Sequence, residues 1–183
     1  MSVKTIAWVL SLAILLWGTS AGAAESLASG DTLQAWQAAV RASEDIWQKM
    51  PFKVVKTVLT DGPAGGYGMY KPRASNVFKA EAKTVILIYL EPVGYKMVKS
   101  ADGVYNYGVA LDLMIANKDG KILFGQENFL KQDFKSWRFN QEIYLSVTLT
   151  LNQPGPGDYF VVLRAKDLKS NGQDEVRVPI VVQ

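Results

Sequence analysis

From Phe52 to the C-terminus the chain is written almost entirely in short runs of period two, each closed by glycine, proline, asparagine or aspartate. This pattern constrains the fold more than anything else in the sequence. Side chains alternate across a strand, so strict alternation buries one face and wets the other. In residues 104–116, Tyr105, Tyr107, Val109, Leu111, Leu113 and Ile115 fall on one side. In residues 141–151, Ile143, Leu145, Val147, Leu149 and Leu151 do the same, leaving Tyr144, Ser146, Thr148 and Thr150 toward water. Residues 84–91 are apolar on both sides. Further strands are expected at 52–60, 121–124, 159–165 and 176–182. The Asn117-Lys118-Asp119-Gly120 turn marks a hairpin, because Asp-Gly adopts the backbone twist that a tight turn needs. Pro179 places the last strand at an edge, since proline cannot donate to a ladder. About seven short strands without helical crossovers describe a mainly β, antiparallel sandwich over 51–183.

One helix precedes it. Over residues 31–50, Leu33, Trp36, Val40, Trp47 and Met50 form an apolar stripe at helical spacing, Asp31 or Thr32 can cap the first turn, and Pro51 stops the helix. The outward side of 104–116 carries Gly108, Ala110, Met114 and Ala116, small or apolar residues that something must cover. The expectation is that the helix packs across the outside of that sheet through Trp36 and Trp47. Residues 24–30 read as a disordered start.

Residues 1–23 read as an export signal: Lys4, an apolar run over 6–17, then small residues at Ala21-Gly22-Ala23. The run is too short for a membrane span. The expected location is therefore periplasmic or secreted, with no membrane span once the signal is removed. The chain beyond the signal is the size of one ordinary domain and needs no disulfide staple.

Composition narrows the chemistry. The chain has no histidine and no cysteine, which removes imidazole bases, thiol nucleophiles and the usual zinc ligands. The net charge is +3, with acids and bases interspersed. That is unlike the clustered basic face of a nucleic-acid binder, so no nucleic-acid partner is expected. Asp102, Asp119 and Asp167 are isolated turn residues, and 62–66 lacks the Lys-Ser or Lys-Thr of a phosphate loop. No metal, cofactor or catalytic residue is assigned. Glu91, Asp112, Glu127, Asp133, Glu142 and Asp158 leave open a carboxylate-dependent enzyme acting on an envelope polymer, and a structural module of an envelope complex is a third class. The reading adopted is a binding or accessory module acting through loops or a sheet edge, with an envelope protein, saccharide or peptide as partner.

Three features could carry binding. Tyr67 and Tyr70, with Tyr95, Tyr105 and Tyr107, flank loops or strand ends and combine an apolar ring with a hydroxyl, although most such rings fill the ends of a core. Gln126, Glu127 and Asn128 form a polar run suited to a hydrogen-bonding loop or to a connection between sheets. Asp112 sits among small outward residues and either bonds the helix, through the indole of Trp36 or Trp47, or marks a pocket. Tyr67, Tyr70, Gln126, Glu127 and Asn128 are the ligand-binding candidates.

The segment Pro156-Gly157-Asp158-Tyr159-Phe160-Val161-Val162-Leu163 resembles the corner before a late strand in immunoglobulin-like and fibronectin-type sandwiches. That resemblance implies an immunoglobulin-like sandwich in which the Tyr159 hydroxyl bonds back to the backbone across the corner. Val161 stands where antibody domains carry a disulfide cysteine, which excludes a true antibody-type domain. The mature chain also resembles a group of uncharacterised exported bacterial proteins, through Tyr89-Leu90-Glu91-Pro92-Val93-Gly94-Tyr95 and Gly125-Gln126-Glu127-Asn128-Phe129, a likeness that implies no activity.

Overall fold

The computed structural model describes residues 21–183, with side chains from residue 30 onward. Lys4 and the apolar run at 6–17 lie outside the described residues. Two compact units divide the chain, one running through Arg41 and the other from Ala42 to Gln183.

The one helix among the described residues, α1, spans Ala21–Lys49. It therefore already includes 24–30, the stretch read from sequence as disordered. Ala21, Ala23, Ala24 and Ala28 explain this, since alanine loses the least freedom in a helix. Leu33 and Trp36 in the first unit are exposed, at 54% and 62%. The last turns of α1 belong to the second unit and are tied down. Trp47 is buried, its ring edge-on to Tyr95 at 5.0 Å, and its indole N–H donates to the Tyr95 carbonyl at 3.1 Å. The Gln48 amide donates to the Met97 carbonyl at 3.1 Å.

The second unit is a β-sandwich. Its strands are β1 (Lys53–Leu59), β2 (Val77–Phe78), β3 (Lys83–Val93), β4 (Val98–Lys99), β5 (Tyr105–Asn117), β6 (Ile122–Ser136), β7 (Leu145–Asn152), β8 (Gly157–Asp167) and β9 (Gln173–Val182). One sheet has the order β1-β3-β7. The other runs β2-β9-β8-β5, with β4 and β6 both paired to β5. Every pairing is antiparallel except the two-residue β2–β9 contact.

The period-two faces go where the sequence sends them. Ile86, Ile88 and Leu90 of β3 and Leu145, Val147 and Leu149 of β7 join Val109, Leu111 and Leu113 of β5 and Val161 and Leu163 of β8 in one core. Each such side chain contributes about 1.5–3 kcal/mol by leaving water. Tyr95 and Tyr107 are also fully inside, stacked at 5.5 Å. The Tyr159 hydroxyl donates to the Gly155 carbonyl at 2.9 Å across the corner before β8, the bond that the corner resemblance implies.

Two expectations about coverage need correction. Trp47 belongs to the core rather than to an outer wall. On the outward side of β5, Ala110 stands opposite Lys131 on one flank and Lys166 on the other. Long aliphatic stems of this kind cover small residues while their ammonium groups stay wet. At Gly108 an added Cβ would lie 2.9 Å from Leu168 and 2.7 Å from the Gln132 carbonyl, so close packing is why glycine stands there. The second apolar side of β3 is covered by tyrosines only around Tyr89, and Val85 stays half exposed. Tyr89 is buried beneath Tyr70 at 4.3 Å and Tyr144 at 5.6 Å.

The two long sides of the sandwich differ. On one, Asp174 of β9 accepts the Val54 N–H of β1 at 2.9 Å and the Lys53 ammonium at 2.8 Å. On the other, β6 pairs only with β5 and β7 only with β3. Among the described residues no backbone hydrogen bond joins β6 to β7. Replacing Asp174 with alanine orphans the Val54 N–H and is expected to cost about 1 kcal/mol, read as a lower urea midpoint with an unchanged slope. A slope change would mean that the two sheets had parted.

Candidate functional site

Strand β6 is where the structure departs furthest from the sequence reading, which ends it at Phe124. It continues to Ser136, and Gln126, Glu127 and Asn128 are neither a loop nor a connection between sheets. Leu113 pairs with Gln126 and Leu111 with Leu130, so Glu127, Asn128 and Phe129 bulge together opposite Asp112. Asn128 takes φ 49°, a left-handed conformation that asparagine tolerates better than most residues. Asp112 fixes the bulge by accepting the Asn128 N–H at 2.8 Å and the Lys166 ammonium at 2.6 Å. Burial alone would raise the Asp112 pKa, but Lys166 and the Asn128 N–H together hold it below the usual carboxylate range. This corrects the expected partner of Asp112, because the Trp47 indole is engaged with Tyr95.

The bulge stands beside a cleft. Between the unpaired edges of β6 and β7 lies an open, largely apolar space of about 520 Å³. Leu113 and Ile115 form its floor. Phe124, Gln126 and Phe129 form one wall, Leu149 and Leu151 the other, and Tyr159 and Pro154 contribute to the lining as well. A smaller hollow of about 320 Å³ lies toward the other end of β6, lined by Gln132 and Phe134 of β6, Tyr144 and Ser146 at the start of β7, and Pro63 and Ala64 of the β1–β2 loop. A third hollow, on the outer face, is lined by Asp112, Met114, Ile122, Glu127 and Arg164.

The five candidate residues separate. Gln126 lines both the cleft and the outer hollow, where it meets Glu127, while Asn128 is exposed at the bulge. Tyr67 and Tyr70 lie in the β1–β2 loop, beside the β1-β3-β7 sheet rather than β6. The Gly68 N–H donates to the Tyr89 hydroxyl, which in turn donates to Glu91, both at 2.7 Å. Burial, reinforced by Glu91, pushes the Tyr89 phenol up to about 12. Tyr67 is 37% exposed, and its phenol is raised by burial first and then by the charges of Glu91 and Glu142. Tyr70 is half-buried as the lid on Tyr89. The loop tyrosines therefore act mainly as a cover for β3, with the rim of Tyr67 left exposed.

The residues that sequence reasoning missed are the cleft walls, Phe124, Phe129, Leu149, Leu151 and Tyr159. Their apolar character is plain in the sequence. What is not plain is that the edges of β6 and β7 end up on the same side. Of the candidate carboxylates, Glu91 takes the Tyr89 hydroxyl on one sheet and Asp112 takes Lys166 on the other, while Glu142 joins Glu91 in acting on Tyr67. No helix among the described residues is long and apolar enough to cross a membrane. No protein-family model matches the chain and no curated protein is significantly similar to it, so its role has to be read from this geometry.

Proposed function

We propose that the protein is a non-catalytic binding module, exported to the periplasm or secreted, that accepts an extended peptide segment of a partner along the open side of its sandwich. The observation that carries this reading is the apolar cleft lying between two strand edges that, among the described residues, pair with no further strand. An acyl chain would fill such a space and leave the N–H and C=O groups of those edges unmatched, and a sugar ring would bond a few of them without continuing the ladder. A peptide strand does both jobs: its backbone extends a ladder from β6 while alternate side chains drop onto Leu113 and Ile115. The bulge at Glu127–Phe129 limits continuous pairing to the stretches on either side of it, Ile122–Gln126 or Leu130–Ser136. The first of these borders the larger cleft. Gln126 supplies a polar contact there, while Tyr67 and Tyr70 lie apart from it.

The test is selection from a display library of random octapeptides, followed by amide exchange on the protein saturated with an enriched peptide. The expected result is enrichment of sequences with apolar residues at alternate positions, slower exchange within residues 122–126, and at least tenfold weaker binding by Phe124→Asp. Protection confined to the Tyr67 loop, or no enrichment, would defeat the proposal.

A further inference from the structure

A second surface adjoins the cleft but has a different chemistry. The β5–β6 turn is a rigid tip. The Asn117 side chain accepts the Asp119 N–H at 3.1 Å and the Lys121 N–H at 2.9 Å, and the Gly120 N–H closes on the Asn117 carbonyl at 3.0 Å. Immediately after it come Ile122, Leu123 and Phe124, exposed by 50%, 53% and 49%. Three consecutive half-exposed apolar side chains are costly to leave in water, and sequences avoid such runs unless they serve a contact.

The arrangement of these three residues says what kind of contact. Ile122 pairs with Ala116, on the outer side of the sheet, and Phe124 with Ile115, on the cleft side, with Leu123 in the register shift between them. The tip is therefore apolar on both faces at once. A peptide strand or a folded partner covers one edge or one face. A lipid interface surrounds a protruding tip on all sides. Charge points the same way: Lys118 and Lys121 stand on the turn just before the apolar run, both are exposed, and neither takes part in an ion pair among the described residues. The one acid on the turn, Asp119, lies 3.3 Å from the Asn117 side-chain amide. Lysines beside exposed apolar side chains match the anionic headgroups and acyl boundary of a membrane surface.

We infer that the β5–β6 hairpin docks the protein on an anionic lipid surface, with Ile122, Leu123 and Phe124 against the acyl boundary and Lys118 and Lys121 at the headgroups. The contact is peripheral and reversible, and because Phe124 also lines the cleft, a peptide paired along Ile122–Gln126 competes with it.

The chain contains no cysteine, so a single introduced thiol can carry an environment-sensitive fluorophore. The full chain labelled at Leu123→Cys is titrated with vesicles of one part phosphatidylglycerol in two parts phosphatidylcholine. A second chain labelled at Ala101→Cys, at the opposite end of β5, serves as the control. The expected result is a blue shift for position 123 alone, absent with pure phosphatidylcholine and reduced at high salt. In an unlabelled competition assay, Lys118→Gln and Lys121→Gln each weaken vesicle binding about fivefold, and Leu123→Asp weakens it about tenfold or more. Equal shifts at 123 and 101, or a shift that is the same on neutral vesicles, overturns the inference. So does a Leu123→Asp variant that sediments as a smaller species than the parent while vesicle binding is unchanged, since the tip would then be covered by a second copy of the chain.

Discussion

Replacing Gly94 with alanine is expected to destabilise the sandwich by about 4 kcal/mol. Two costs add. Gly94 sits at φ 68°, where a side chain crowds the following carbonyl and costs roughly 1–2 kcal/mol. An added Cβ would also stand 2.3 Å from the Pro51 carbonyl oxygen and 2.9 Å from its carbon. That neighbour is backbone and has no rotamer to change. The chain must shift where α1 gives way to β1, and the shift reaches Tyr95, which holds the Trp47 indole and donates its hydroxyl to the Asn140 carbonyl at 2.7 Å. For a domain of this size, about 4 kcal/mol corresponds to a fall in Tm on the order of 10 °C. Gly62→Ala is the control, because nothing lies within 4 Å of its added Cβ. Equal melting temperatures for the two variants would show that the tight turn after β3 relaxes freely.

Asp112→Ala comes next, at about 2–3 kcal/mol. The substitution leaves the Asn128 N–H and the Lys166 ammonium without their acceptor, and the upper figure is held down because Lys166 keeps 31% of its side chain in water. The sign with pH is set by the depressed pKa of Asp112. In the unfolded chain the carboxyl titrates near its ordinary 3.8, and in the folded protein it titrates lower. The stabilisation is therefore complete above about pH 5 and drains away as pH falls through the folded value. The gap in urea midpoint between parent and variant should be flat from neutral pH down to about pH 5 and narrow below pH 4. A gap that widens on acidification would mean the carboxylate is not the acceptor described. Because Asp112 also sets the bulge, the variant is expected to loosen amide protection at 126–130 more than elsewhere.

How legible all this is in the sequence depends on the residue. The alternation in β5 and β7 fixes both inner faces because nothing interrupts it. The same logic fails in β6, where Glu127-Asn128-Phe129 breaks the period and its run of charged and amide residues resembles a loop. A signal was nevertheless present. A tight turn at Asn117–Gly120 next to a 13-residue strand calls for a partner of similar length, and counting back across the turn carries β6 to Asp133; the two register shifts add the three residues that take it to Ser136. The coverage of β3 was less accessible, since Tyr70 and Tyr89 are brought together by a loop whose path the sequence does not encode locally. The cleft was least accessible of all. It depends on which edges of two sheets face the same way, which is a property of topology and not of any one segment.

The length of β6 also bears on how the protein behaves in concentrated solution. A strand of 15 residues with one open edge is a template for runaway stacking of identical chains, and natural sequences post charges along such borders to prevent it. Lys131, Asp133 and Lys135 stand guard on the half nearer Ser136. The half from Ile122 to Gln126 has no charged side chain at all. Whatever shields that unguarded half in the cell also sets how far the protein can be concentrated before it aggregates.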